Sequence, residues 1–245
     1  MPFEESSTWA AAPEPPSLEA GTVDVWRVAL DQPDDKLDRF QRMLEPDELN
    51  RASRFHFEKH RRHFIMARGF LRAVIGRYLE MQPEALRFSY GAYGKPALAS
   101  EHALRFNLSH SHEVALLAVA LGAELGVDVE HIRADFASEE IARRFFSRAE
   151  VEVFNALPKD EQVAAFFRCW TRKEAYIKAI GKGLSQALDA FDVTLAPDAA
   201  PELLRAEDDD PSRWLLTDIN AGAGYAAALA IEAPITTIRC FQNIR

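Results

Sequence analysis

Leu125-Gly-Val-Asp-Val-Glu130 is the stretch that decides the fold. Apolar and polar residues alternate through it as in a half-buried strand, and Thr22-Val-Asp-Val-Trp-Arg-Val28 does the same in the first half of the chain. Each strand leads into helical territory. Leu44-Glu-Pro-Asp-Glu48 reads as a helix start with proline in its first turn, and Phe64, Ala67, Leu71, Val74, Ile75 and Tyr78 then mark one helical face. In the second half, Ser147 and Glu150 have the spacing of a capping box, and Phe166, Trp170, Lys173, Glu174 and Ile177 fall on a long helix running towards Gly181. Each half closes with strand-like runs, Leu104 to Leu108 with Val114 to Leu121, and Trp214 to Ile219 with Tyr225 to Ile231. The order strand, helices, strands therefore occurs twice. It predicts an α+β chain of two similar α/β subdomains, 21–122 and 123–245, packed as one pseudo-symmetric unit. Residues 1–20, with Pro13, Pro15 and Pro16 among Ser, Glu and Ala, read as a flexible arm.

Composition narrows the class. The 245 residues are 48% hydrophobic and 27% charged, which excludes a disordered or collagen-like chain. With 29 Lys and Arg against 38 Asp and Glu, the net charge of −9 argues against nucleic acid as a partner, whose phosphates need excess positive charge. Cys169 and Cys240 stand alone, without CxxC or zinc spacing, as suits a reducing compartment. The acidic N-terminus lacks the basic region of a signal peptide, and the uncharged stretches 114–123 and 219–231 fall short of the roughly 20 apolar residues that span a bilayer. A cytoplasmic, membrane-free protein is expected, acting as a monomer.

Asp128 and Glu130, two apart on a strand, leave the same face of the sheet, an arrangement that invites a cation or simply faces water. Gly126 suggests that other backbone lies close by. Glu174 and Lys178, four apart, share a helical face, as a surface ion pair or as part of a site. If that helix packs across the Asp128 strand, three carboxylates supply the hard oxygen ligands that Mg²⁺ takes, and the chemistry becomes phosphate binding or phosphoryl transfer. Positive charge concentrates between Arg51 and Arg72, where seven Lys and Arg face the single acid Glu58. Such a window suits a polyanionic small ligand or a solvated basic helix. Tyr93-Gly-Lys-Pro96 reads as a turn whose lysine can meet a phosphate, and Asn107-Leu-Ser-His-Ser-His112 as a polar interruption of a strand region, either phosphate-binding, metal-binding or a plain hairpin.

Taken together, these residues resemble the Sfp-type 4'-phosphopantetheinyl transferases, which activate carrier proteins of polyketide, nonribosomal peptide and fatty-acid synthesis. The resemblance spans nearly all of 21–235. It rests on Tyr-Gly-Lys-Pro at 93–96, Phe-Asn-Leu-Ser-His-Ser at 106–111, Gly-Val-Asp-Val-Glu at 126–130, Arg-Phe-Phe-Ser at 144–147 with Glu150, and Trp170-Thr-Arg-Lys-Glu-Ala-Tyr-Ile-Lys-Ala-Ile-Gly-Lys-Gly-Leu184. It implies two pseudo-twofold-related halves with the site between them, and transfer of the phosphopantetheine arm of coenzyme A to a serine of an apo acyl or peptidyl carrier protein. It further implies that Asp128, Glu130 and Glu174 hold Mg²⁺ on the pyrophosphate, that Glu174 is also a candidate base for the carrier serine and that Lys178 protonates or neutralises the leaving phosphate. Coenzyme A would be bound by Arg51, Lys95, Asn107, Ser109, His110, Asp128 and Lys178, with Tyr93, Gly94, Lys95 and Pro96 flanking the adenine. The carrier, usually acidic, would dock on a local patch or apolar groove of 150–185. A non-catalytic coenzyme A module would keep the arginine cluster and need no metal-binding acids, whereas a Mg²⁺-dependent phosphohydrolase would use the same acids with water as nucleophile.

Overall fold

The computed structural model describes residues 4–5, 9–11, 13 and 16–242. The first half runs β1 (Glu4–Glu5), β2 (Ala10–Ala11), β3 (Thr22–Ala29), α1 (Asp34–Gln41), α2 (Pro46–Ser53), α3 (Glu58–Leu79), β4 (Phe88–Tyr90), β5 (Pro96–Leu98), β6 (Leu104–Ser111) and β7 (Val114–Leu121). The second runs β8 (Leu125–His131), α4 (Glu139–Phe145), α5 (Arg148–Ala156), α6 (Lys159–Ile180), β9 (Phe191–Val193), β10 (Leu203–Ala206), β11 (Trp214–Asp218), β12 (Tyr225–Glu232) and β13 (Thr237–Gln242). Each half thus carries a strand, then three helices, then two antiparallel strand pairs (β4–β5 and β6–β7, β9–β10 and β11–β12), and the third helix of each, α3 and α6, is 22 residues long. The chain is α+β.

The main sheet has the order β1-β13-β3-β7-β6, with β2 also on β13, and a second sheet has the order β11-β12-β8. Alternation along the strands sorts the apolar residues into layers. Val23, Val25, Leu116 and Ala118 face Val127, Val129, Leu229 and Ile231 in a core between the two sheets. The other face of the main sheet, with Trp26, Val28, Leu117 and Val119, packs on α3. Ala228 and Ala230 of the small sheet pack with Phe166, Ala175 and Ile177 of α6. The result is helix, sheet, sheet, helix. A strand covered on both faces needs apolar residues at every position, which is why β7 reads Val-Ala-Leu-Leu-Ala-Val-Ala-Leu.

Helix ends follow their local chemistry. Glu45 and Glu48 form a capping box around Pro46 at the start of α2, Ser147 and Glu150 form another at α5, and Gly181 ends α6 in the left-handed conformation at φ +67°. Three expectations need correction. The arm is not without structure, since residues 4–5 and 10–11 pair in parallel with β13 and Trp9 Nε1 donates to Asn220 O (2.7 Å). Its polar composition hides this because backbone pairing to a strand asks little of side chains. Residues 237–242, numbered in the second half, cross back to pair with β3 of the first. Residues 107–111 do not interrupt a strand but complete β6, which turns into β7 at His112, φ +50°. Cys169 and Cys240 are both buried, and among the described residues no helix is long and apolar enough to cross a membrane.

Candidate active site

The position of α6 sets the site. A Cβ on Gly126 would lie 2.1 Å from Ala175 O and 2.4 Å from Ala179 N, so the helix rests directly on β8 at a point where only glycine fits. The helix is held deep in its half by Lys173. That ammonium, fully buried, pairs with Glu150 Oε1 (2.8 Å) and donates to Leu188 O (2.7 Å) and Phe191 O (2.5 Å). With α6 fixed, Lys178 reaches across β8. Its Nζ donates to Asp128 Oδ1 (2.6 Å), Ser109 Oγ (2.8 Å) and Val127 O (3.3 Å).

Asp128 is 3% exposed, and its two oxygens differ. Oδ1 accepts from Lys178 and from Ser109 Oγ (2.9 Å), whereas Oδ2 is buried with no hydrogen-bond partner. A buried carboxylate oxygen left this way costs free energy unless something else meets it. Glu130, half-buried, accepts from Ser111 Oγ (2.7 Å), and burial, then the charge of Asp128, pushes its carboxyl above the ordinary glutamate range. Glu174 makes no hydrogen bond or ion pair among the described residues, and burial, then Asp128, also pushes it up, with Glu130 adding to the effect and Lys178 opposing it. Three acids from β8 and α6 therefore repel one another around one cation. Among the described residues the side chains form no closed group of three acids, histidines or cysteines at metal-binding distance.

The other expected residues divide. Asn107 Oδ1 accepts from Val127 N (2.9 Å), so Asn107 joins the halves. His110 lies on the opposite face of β6 from Ser109, and burial, then the charge of Lys178, pushes its imidazole below the ordinary histidine range. Lys95 is not a free cation. Its Nζ donates to Leu125 O (3.1 Å) and Ala179 O (3.3 Å) and lies 3.6 Å from Glu124, tying the start of β8 to the end of α6. Tyr93, Lys95 and Pro96 line a cleft of about 1170 Å³ with Phe106, Ile180 and Trp214, and Gly94 makes the turn at φ +79°. Glu130 and Ser111 border a separate cavity of about 280 Å³ beside Trp170. Arg51 stands apart on α2, exposed, its guanidinium 5.4 Å over the Phe64 ring.

The basic window is largely spent within the fold. Arg68 and Arg72 are buried against Glu48, Arg72 also meets Glu45, Arg61 pairs with Glu58, Arg62 with Asp34, and Lys59 with Asp31 and Glu113. Only part of it can serve an anion. Sequence reasoning missed the roles of Glu45 and Glu48 because partners 20 and more positions away leave no local signal. It also missed Ser111 and the packing of Gly183, whose Cβ would lie 2.6 Å from Tyr93 Cβ.

Acids that repel one another beside a lysine, on the seam between two α/β halves, can hold a hard cation and a phosphate, the equipment of a phosphoryl-transfer enzyme. The chain belongs to the 4'-phosphopantetheinyl transferase superfamily, whose family model matches residues 124–230, while a model of the N-terminal part of 4'-phosphopantetheinyl transferases matches 31–121. The 4'-phosphopantetheinyl transferase HetI of Nostoc sp. is 38% identical over 227 residues, covering 91% of this chain and 93% of its own. The 4'-phosphopantetheinyl transferase Sfp of Bacillus subtilis is 30% identical over 208 residues, covering 84% and 92%. A holo-(acyl-carrier-protein) synthase from Bacillus anthracis, solved with CoA (3',5'-ADP), aligns with 44% of this chain and 94% of its own at a TM-score of 0.37 and 18% identity, too loose a superposition to bear on the site.

Proposed function

We propose that this transferase moves the 4'-phosphopantetheine arm of coenzyme A onto a carrier-protein serine with Mg²⁺ held by Asp128, Glu130 and Glu174. The observation that carries the metal reading is the buried, unpartnered Asp128 Oδ2 beside two carboxyls already pushed up by burial and by Asp128. A hard divalent cation would meet that oxygen and relieve the repulsion. When bound it would supply charge neutralisation to the pyrophosphate.

The chain's own groups would do the rest. Glu174, unpaired and made more basic by its surroundings, takes the proton of the carrier serine. The serine oxygen then attacks the phosphorus bearing the pantetheine arm, and the bridging P–O bond to the adenosine 5'-phosphate breaks. One phosphodiester forms, and adenosine 3',5'-bisphosphate leaves. Lys178, anchored on Asp128 and Ser109, is placed to offset the charge that grows on the leaving phosphate. The nucleotide would occupy the cleft lined by Tyr93, Lys95 and Pro96, and Arg51 and His110, outside that lining, would reach towards its phosphates. The carrier would dock along 150–185. All of these groups come from one chain, which suits a monomer, and only two cysteines in the chain, both buried, suit a reducing cytoplasm.

The test is mass spectrometry of apo acyl and peptidyl carrier domains incubated with coenzyme A. Conversion to the phosphopantetheinylated form with Mg²⁺, none in chelator, and none with Asp128→Ala is the expected result. Equal conversion in chelator would end the metal assignment, and no conversion of any carrier would end the transfer reading.

A further inference from the structure

β6 and β8 are edge strands of different sheets, and they run side by side without a backbone ladder. Side chains of β6 take its place. Val127 N donates to Asn107 Oδ1 (2.9 Å), Val129 N to Ser109 Oγ (3.4 Å) and His131 N to Ser111 Oγ (3.1 Å). Every second residue of one strand meets every second amide of the other, as the period of a strand requires. The rungs differ in what remains to be given. A hydroxyl that accepts from an amide still has a proton to donate, whereas the Asn107 rung meets the amide through a carbonyl oxygen. Ser109 donates to Asp128 Oδ1 (2.9 Å) and Ser111 to Glu130 Oε2 (2.7 Å).

Asp128 has Lys178 as a second anchor, but Glu130 has no other hydrogen bond or ion pair among the described residues. A half-buried glutamate with three rotatable bonds and a like charge nearby would otherwise turn away from Asp128 towards solvent. We propose that Ser111 is a positioning residue for Glu130: its hydroxyl, fixed by the His131 amide, holds the carboxylate at the acid cluster, so that docking of the two halves and orientation of a cation ligand are one event. The proposal rests on the reading of Asp128, Glu130 and Glu174 as the metal-binding acids. Ser111 touches neither metal nor substrate and acts through Glu130.

Thr and Val have the same shape and differ at one γ position by the hydroxyl, and both suit a strand, so Ser111→Thr and Ser111→Val isolate the hydroxyl that links the His131 amide to Glu130. The full chain, without carrier, is titrated with Mn²⁺ by electron paramagnetic resonance. The Mg²⁺ concentration for half-maximal transfer and the KM for coenzyme A at saturating Mg²⁺ are measured beside it. Partners of metal ligands are typically worth about 10–100-fold in metal affinity. Ser111→Val should therefore weaken Mn²⁺ binding and raise the Mg²⁺ requirement by about tenfold or more, leave the KM for coenzyme A near wild type, and be rescued by Ser111→Thr. Ser111→Ala should behave as Ser111→Val does. If Thr and Val variants bind Mn²⁺ alike while the wild type binds it, Ser111 is a structural rung and the proposal fails alone. If the wild type binds no Mn²⁺ and transfers equally in chelator, the metal reading fails and takes the proposal with it.

Discussion

Asp24 and Asp128 occupy the same place in two Val-Asp-Val strands, one in each half, and are 0% and 3% exposed. In each half a residue from the last turn of the 22-residue helix reaches the aspartate: Tyr78 from α3, Lys178 from α6. There the correspondence ends. Asp24 Oδ1 accepts from Arg239 Nε (2.6 Å), and Oδ2 accepts from Tyr78 Oη (2.5 Å) and Arg239 Nη2 (2.8 Å), so both oxygens are met. Trp26 Nε1 completes the network on Tyr78 (2.9 Å). Asp128 has one oxygen met and one bare, with two further acids beside it. The same scaffold thus carries one closed aspartate, which ties β13 to β3, and one open aspartate, whose Oδ2 is buried without a hydrogen-bond partner. A buried charge marks a functional site by what is missing from its partners, more than by its burial.

The sharpest break of this comparison is Glu174→Gln, which leaves the open site its shape and removes a charge. General base catalysis alone is worth about 10²–10⁴-fold, so single-turnover transfer should fall by that much while the fold, read by circular dichroism, stays intact. A variant keeping more than about a tenth of the wild-type rate would put Glu174 outside the site. Arg239→Met should do the reverse. It strands the buried Asp24 with Tyr78 alone, and removing one partner of a buried pair costs about 3–5 kcal/mol, here near the lower figure because Arg239 is a third exposed. Urea denaturation should show that loss with turnover per folded molecule nearly unchanged. A large fall in turnover would mean that the two aspartates are not so different.

This division was only partly legible beforehand. Gly126, the proline-led start of α2, the Ser147–Glu150 capping box and the course of α6 towards Gly181 are local patterns, and the structure bears them out. Asp24 carried no such signal, since its partner Arg239 lies 215 positions away on a strand that crosses between halves. The arginines of 51–72 looked like a ligand surface for the same reason. Glu45 and Glu48, which neutralise Arg68 and Arg72, precede them by a helix and a turn, and no period in the sequence links them. Spacing along one element can be read from sequence, but satisfaction of a buried charge depends on long-range packing.

Gly126 explains why the helix of the second half comes close enough for a lysine to bridge, and Thr22 stands in its place in the first. Gly126→Ala should push α6 off β8, because its Cβ would meet backbone atoms at 2.1 and 2.4 Å that cannot yield as a flexible side chain would. Overpacking of this kind costs about 1–3 kcal/mol. The shift also parts Lys178 from Asp128, so the variant should lose both stability and transfer, unlike either variant above. Thr22→Gly should lose little more than strand propensity, about 1 kcal/mol. Unchanged transfer by Gly126→Ala would show that the Lys178 bridge does not depend on this contact.

The smallest effect is a matter of sign. Burial, then Asp128, raises the Glu174 carboxyl above its ordinary value of 4.5, and Glu130 is raised for the same reasons. Between that value and the raised one, the native protein holds more protons than the unfolded chain, so these two groups lower stability as pH rises through the window. Carboxyls held down elsewhere, Asp31 by His63 foremost, act in the opposite direction, and a whole-protein curve mixes the two. Subtracting the wild-type curve from that of Glu174→Gln isolates the site. The variant should gain on the wild type as pH rises above 4.5, because it never acquires the charge that burial, then Asp128, opposes. Mg²⁺ should narrow that gap at the alkaline end of the range, where the carboxylate it would meet is ionised, and leave it unchanged at the acid end, where the carboxyl is protonated in both states. Parallel curves at all pH values would mean that Glu174 feels no neighbouring charge, and the open aspartate would then stand alone.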